Sequence, residues 1–495
     1  MRGRHRGWAA GGAAAVLVAL LTTSATVVGP APVGAGASTE GSSIDPAQFP
    51  ISHIVVLVME NRAYDNYFGT YCLVTGTYCP YNATGIPSGL CIPLNPANDS
   101  AGCVRPFNYT AANLTMPKTG LPHDYTSSMA AYDNGSMDNF YLAENSGLTP
   151  FGHYNGSTIP IYWDLAEEYG LGDHFFSSAF SYSLPNHWYL LAGQSPQIAI
   201  YKIPSGPGKA GAPLSSTAVT YLNESNHTSS VEDLMMNATG VSWKYYDYAL
   251  PNYTKAIQAK DGPDRVGAYD FWNPQAAKAE SYTAALASHF VNRSTFFTDA
   301  KQGALPNASW IIPGFAQSDH PPANVTHGES FVARVVNAIE RSPEWRSTAL
   351  FVTWDDYGGF WDQMTPPSLD SLGLAFRVPL LVVSPYTPAG YVSHDAESFE
   401  SLLAFIEWRF SLGCLTARDC NAQIPFEYFD LNMTARSPMV FPTSPTSAYY
   451  PMNLTASPAR VPMGGPTLPA GGTFNYSSYD GPTPSADLGY IEPGD

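Results

Sequence analysis

Residues 53–62 read His53-Ile54-Val55-Val56-Leu57-Val58-Met59-Glu60-Asn61-Arg62. A run of branched apolar side chains stops abruptly at Glu60 and Asn61. It has neither a helical stripe nor an alternation, so it predicts a strand buried on both faces, as in a parallel sheet. A second stretch has the same design: Ala349-Leu350-Phe351-Val352-Thr353-Trp354-Asp355-Asp356, then Tyr357-Gly358-Gly359. Ligands of open α/β sheets sit in the crevice beyond the carboxyl ends of the strands. Two strands ending in hard oxygen donors therefore predict one site, a cation held by Glu60, Asn61, Asp355 and Asp356. Taken singly, either pair also reads as turn residues, which Asp and Asn favour at strand ends.

Outward from these strands the chain keeps a strand–helix rhythm. Residues 377–386, with Leu380, Leu381, Val382 and Val383, predict a third buried strand, and residues 241–246 a fourth. Residues 159–170 predict a helix with Pro160 in its first turn and Gly170 past its end. Thr326 and Glu329 have capping-box spacing ahead of Phe331, Val332, Val335, Val336 and Ile339, which share one helical face. Further helices are expected over 188–193, 276–290 and 398–410. Alternating strands and helices favour an α/β fold with a mostly parallel central sheet.

The 495 residues suffice for one large domain with insertions or for two domains. Charged residues are only 13%, with 41 acidic against 23 basic and a net charge of −18. That excludes a nucleic-acid backbone as partner, because neutralising phosphates takes clustered Lys and Arg. Arg2, Arg4, His5 and Arg6 precede an apolar, small-residue run, so residues 1–38 read as a signal peptide or N-terminal anchor. Sixteen N-x-S/T sequons, among them Asn82, Asn108, Asn134 and Asn324, suggest a glycosylated, secreted or cell-surface chain. Cys72, Cys79, Cys91 and Cys103 crowd a loop-rich stretch, about 72–117, and leave three connectivities open. Cys414 and Cys420 bracket a short loop and are expected to pair. Residues 437–495 lose periodicity and read as a Pro/Ser/Thr-rich tail, which leaves 45–436 as the main domain.

Three further segments carry reactive groups. His123 stands in Pro122-His123-Asp124, a turn where an imidazole can face a ligand. Ser183 stands in Ser183-Leu184-Pro185-Asn186-His187, ahead of a helix. It reads either as a cap or as a nucleophile supported by the helix end and a metal. His320 stands in Asp319-His320-Pro321-Pro322.

These motifs resemble, in order, those of the phosphoesterase family that includes bacterial phospholipases C and acid phosphatases, within the alkaline phosphatase superfamily. They are Val58-Met59-Glu60-Asn61-Arg62, Pro122-His123-Asp124, Ser183-Leu184-Pro185-Asn186, Asp319-His320-Pro321-Pro322, Thr353 to Asp362, Arg377-Val378-Pro379 and Val392-Ser393-His394. The resemblance covers about residues 51–429. It implies an alkaline-phosphatase-like core with helices on both faces of the sheet, plus insertions. It also implies a metal-dependent hydrolase acting on a phosphoester, phospholipids included, with no specific protein partner. Glu60, Asn61, Asp355 and Asp356 would hold a divalent ion (calcium, magnesium or manganese), and Ser183 would attack phosphorus. His123 and His320 would bind phosphate oxygens or protonate the leaving group, with Asn186 and His394 on the substrate. The chain departs from the pattern at Tyr357 and Gln363, where the family has His, and at His187, where it has Arg. Those departures keep open a non-catalytic, glycosylated surface protein on a degenerate hydrolase scaffold. Sulfate-ester hydrolysis is disfavoured, because the 183–187 segment lacks the Arg of sulfatase motifs.

Overall fold

The apolar run at 53–59 is a strand, buried at every residue but its first. The computed structural model describes residues 44–72, 83–116, 120–202, 216–238, 240–247, 274 and 288–444. Its main sheet has eight strands: β1 (His53–Met59), β2 (Gly170–Gly172), β3 (Trp243–Asp247), β4 (Phe290–Asn292), β5 (Ala308–Ile311), β6 (Thr348–Trp354), β7 (Leu380–Val383) and β8 (Tyr391–Ser393). Their order is β8-β2-β7-β6-β1-β5-β3-β4, so β1 and β6 are central neighbours. Every pairing is parallel except those of β7, which runs against both β6 and β2. Residues 355–379 between β6 and β7 contain no helix. With no crossover helix to carry it back, the chain turns and pairs antiparallel.

Four helices matter for the site: α1 (Pro160–Glu168), α2 (Ser183–Ala192), α3 (Val325–Glu340) and α4 (Phe399–Phe410). Phe351 and Trp354 are three residues apart on β6 and so face opposite sides of the sheet. The Phe351 ring lies 5.7 Å from Phe405 of α4, and the Trp354 ring 5.2 Å from Tyr162 of α1. Helices therefore cover both faces, and α3 packs on α1.

Two helix starts differ from expectation. α2 begins at Ser183 rather than near 188, with Pro185 inside its first turn. A proline there removes an N–H that has no partner within the helix anyway. In α3 the cap is Asn324, whose side chain accepts the Thr326 N–H at 3.0 Å. Glu329 instead accepts the Ile161 N–H at 2.8 Å, tying α3 to the first turn of α1.

Cys414 and Cys420 are bonded, and so are Cys91 and Cys103, which clasp the short strand pair Ile92–Pro93 and Cys103–Val104. Cys79 lies outside the described residues, as do the expected leader at 1–38, most of the expected helix at 276–290 and the tail from 445 on. Phe290, expected at that helix's end, opens β4. Past Arg436 the chain still packs: Phe441 is buried, and its backbone makes two hydrogen bonds with the Asn337 amide, both 2.9 Å. Among the described residues no helix is long and apolar enough to cross a membrane.

Candidate active site

β1 and β6 pair with Met59 opposite Trp354, so Glu60 and Asp355 leave the sheet side by side. Asn61 then takes the left-handed conformation (φ 59°), and its N–H donates to Asp355 Oδ1 at 2.8 Å. The Asp356 carboxylate accepts the Gly358 N–H at 2.7 Å. Gly358 has φ 60°, and a Cβ there would sit 2.4 Å from the Asn61 carbonyl oxygen. Gly359 has φ 78°, and its Cβ would sit 2.4 Å from Leu121 Cβ. Only glycines let this loop touch both Asn61 and the segment that carries His123.

The helix α2 brings in Ser183. Tyr182, not Ser183, is its cap residue, with no side-chain capping bond. The Ser183 hydroxyl instead donates to Glu60 Oε2 at 2.9 Å. One turn on, His187 Nε2 lies 2.9 Å from Glu60 Oε1. Ser183 and His187 are four residues apart and share a helix face. Sequence reasoning placed the helix start too late to see that face.

Two imidazoles close the site. His123 Nδ1–H donates to the Leu121 carbonyl at 2.6 Å, because that oxygen can only accept. Its Nε2 lies 3.5 Å from Asn61 Nδ2 and 3.9 Å from Asp356 Oδ2. His320 Nδ1–H likewise donates to the Pro321 carbonyl at 2.6 Å, which makes Nε2 its basic nitrogen. Burial, and then the neighbouring His123, push His320 down to about 4. The turn before His320 is fixed by residues to which the sequence reading gave no role of their own. Asp319 Oδ2 accepts from Tyr67 (2.9 Å), Tyr162 (2.7 Å) and Trp354 (3.1 Å). Arg62, buried among aromatic rings, donates to the Asp319 carbonyl at 2.6 Å.

The electrostatics ask for a cation. Glu60, Asp355 and Asp356 are completely buried. Burial raises Glu60 and Asp356 well above the carboxylate range, and the charge on Asp355 raises them further. Burial opposes charge on Asp355 too, but His187, then the neighbouring Glu60 and Ser183 side chains and the Asn61 N–H, outweigh it and hold its pKa below normal. Burial drives His187 down to about 4, against Asp355, which pulls it up. Three buried oxygens, Asn61 Oδ1, Asp355 Oδ2 and Asp356 Oδ2, lack hydrogen-bond partners. Orphaned acceptors beside mutually repelling carboxyls fit a divalent ion bound by oxygen.

Two sequence-predicted residues stand elsewhere. Asn186 spends its amide on its own loop: Nδ2 donates to the carbonyls of Ala179 (3.3 Å), Ser181 (3.1 Å) and Tyr182 (3.3 Å), and Oδ1 accepts the Ala179 N–H (3.0 Å). It fastens the turn that delivers Ser183. His394 follows β8, and its Nδ1 pairs with Asp173 Oδ1 at 2.9 Å. Asp173 follows β2, three strands from β1, or about 14 Å at ordinary strand spacing. Tyr357 is buried; its hydroxyl donates to Glu144 and meets Ser128, each at 3.1 Å. The Gln363 backbone N–H donates to Asp65 at 2.9 Å and its amide to the Gly85 carbonyl at 2.8 Å. Both positions have become struts.

Known sequences bear on this geometry. The non-hemolytic phospholipase C of Burkholderia pseudomallei is 28% identical over 403 residues, covering 73% of this chain and 55% of its own length. Phospholipase C A of Mycobacterium tuberculosis is 29% identical over 401 residues, 73% of either chain. This chain thus spans about half the length of the first relative. A sulfatase of Pseudoalteromonas sp. aligns with 77% of this chain and 70% of its own at 12% identity, with a TM-score of only 0.34. The phosphoesterase family profile matches residues 51–413, a span that includes β1, β6, α2 and every side chain of the cluster around Glu60. The chain belongs to the phosphoesterase family.

Proposed function

We propose that this chain is a metal-dependent phosphoester hydrolase of the phospholipase C type that works through Ser183. One observation carries the reading: the Ser183 hydroxyl, from a helix start, donates to Glu60 beside oxygens that lack partners. A divalent ion held by Glu60, Asn61, Asp355 and Asp356 supplies a Lewis acid that favours the alkoxide and neutralises charge on the phosphoryl group. The Ser183 proton leaves along its hydrogen bond to Glu60 Oε2. Ser183 Oγ bonds to phosphorus as the bond to the leaving oxygen breaks, and His123 gives that oxygen its proton. Water then attacks phosphorus as the bond to Ser183 Oγ breaks; neutral His320 accepts the water's proton, and Glu60 returns the proton to Ser183 Oγ. The first turn of α2 adds a positive helix end beside the reacting oxygen.

Relatives named phospholipase C support a lipid phosphodiester as substrate. So does Phe315, about half exposed, whose ring lies 5.2 Å from His320 and offers an apolar rim. The basic, then apolar N-terminus and the two disulfides support a secreted or cell-surface enzyme. Phosphatidylcholine vesicles and p-nitrophenyl phosphate, each with and without chelator, test the reading. Hydrolysis should be lost on chelation and return with added divalent ion. Chelator-insensitive turnover, or none on either substrate in metal-loaded protein, contradicts it.

A further inference from the structure

The resembled pattern has Arg at position 187, and the ion there is expected to meet oxygen alone. This chain puts an imidazole into the cluster instead. Donor atoms of Glu60, His187 and Asp355 lie within 4.8 Å of one another, and all three residues are buried. His187 reaches the cluster from the same helix face as Ser183, its Nε2 2.9 Å from Glu60 Oε1. We infer that His187 is a nitrogen ligand of the cation, which makes the site a mixed nitrogen–oxygen centre selective for a first-row divalent ion such as manganese, cobalt or zinc. The inference rests on the metal-dependent reading above and adds the identity of a ligand.

The chemistry favours that assignment. Imidazole is a weak donor for calcium and magnesium but a good one for first-row ions, whose affinity for nitrogen sites rises along the series toward copper. The competing arrangement gives His187 only a positioning role, its Nε2–H donating to Glu60 and orienting that carboxylate around an all-oxygen ion.

Pulsed electron paramagnetic resonance of the full chain loaded with one equivalent of manganese separates the two. A directly bound imidazole imprints nitrogen modulation on the manganese echo, whereas a hydrogen-bonded one does not. The modulation should be present in wild type, lost in His187→Gln, and retained in a His123→Gln/His320→Gln double variant. Competition titration should show zinc affinity of His187→Gln reduced by at least about tenfold, with calcium affinity changed less than about threefold. Stoichiometric manganese without the modulation, or modulation lost only in the double variant, overturns the ligand role and leaves metal dependence standing. Failure of wild type to bind manganese while it still binds calcium or magnesium overturns the ligand role alone; failure to bind any of these ions overturns both. If His187→Gln does not fold, wild type against the double variant decides the question.

Discussion

Asn61 donates its backbone N–H to Asp355 Oδ1 over 2.8 Å, across the gap between the ends of β1 and β6. The bond uses one carboxylate oxygen and leaves Oδ2 buried without a hydrogen-bond partner. It requires Asn61 in the left-handed conformation, which asparagine tolerates better than most residues. Parallel pairing of two buried strands thereby fixes the spacing of the donors.

Asp355→Asn tests the cluster as a metal site. Asparagine keeps an acceptor for the Asn61 N–H but removes the charge that raises Glu60 and Asp356. At metal a hundredfold above Kd, wild type should gain about 2.7 kcal/mol, and the variant nothing. Thermal melts with and without metal read both. A metal-dependent rise in the variant equal to that of wild type removes Asp355 from the site.

Gly359→Ala tests how the His123 segment is held. The new methyl would combine a φ of 78° with overlap against Leu121. We expect a loss of about 2–4 kcal/mol in urea unfolding. The surviving folded protein should also turn over more slowly, because the 121–123 segment is the part that must move. Wild-type stability and kcat together contradict the packing described.

His153 gives a pH signature outside the metal centre. It is buried, its Nδ1 has no partner, and burial pushes it down to about 4. Between pH 4 and its unfolded value near 6.5, the unfolded chain binds the extra proton, so this group's contribution falls as pH falls. His153→Gln lacks that loss. From pH 7 to pH 4 its stability relative to wild type should improve by on the order of 3 kcal/mol. Parallel pH dependence of the two unfolding curves argues against a buried neutral imidazole.

The strands were legible because β1 and β6 are apolar on both faces and end in acids. The direction of β7 was not, since a buried run reads the same either way and the 355–379 connection carries no periodic signal. The helix expected over 188–193 begins at Ser183, because a first turn accepts Pro185. The later start hid the shared face of Ser183 and His187. Glu329 had the spacing of a capping box but found a partner in Ile161, 168 residues away, which local spacing cannot report. Glu60, Asn61, Asp355, Asp356, Ser183 and His123 were named from sequence and lie together. Asn186 and His394 were also named; the first spends its amide on its own loop, and the second pairs through Nδ1 with Asp173 while its ring stays partly exposed.

Ser183 is where the account is most exposed. It caps nothing, so Ser183→Ala should cost only the hydrogen bond to Glu60, about 1 kcal/mol, while kcat falls by at least about a thousandfold. Rapid acid quench during turnover, followed by peptide mapping, measures the claim directly. The predicted result is phosphate covalently bound to Ser183 in wild type and absent in the alanine variant. Phosphate trapped on another residue, or none trapped while Ser183→Ala still turns over, contradicts the covalent serine mechanism.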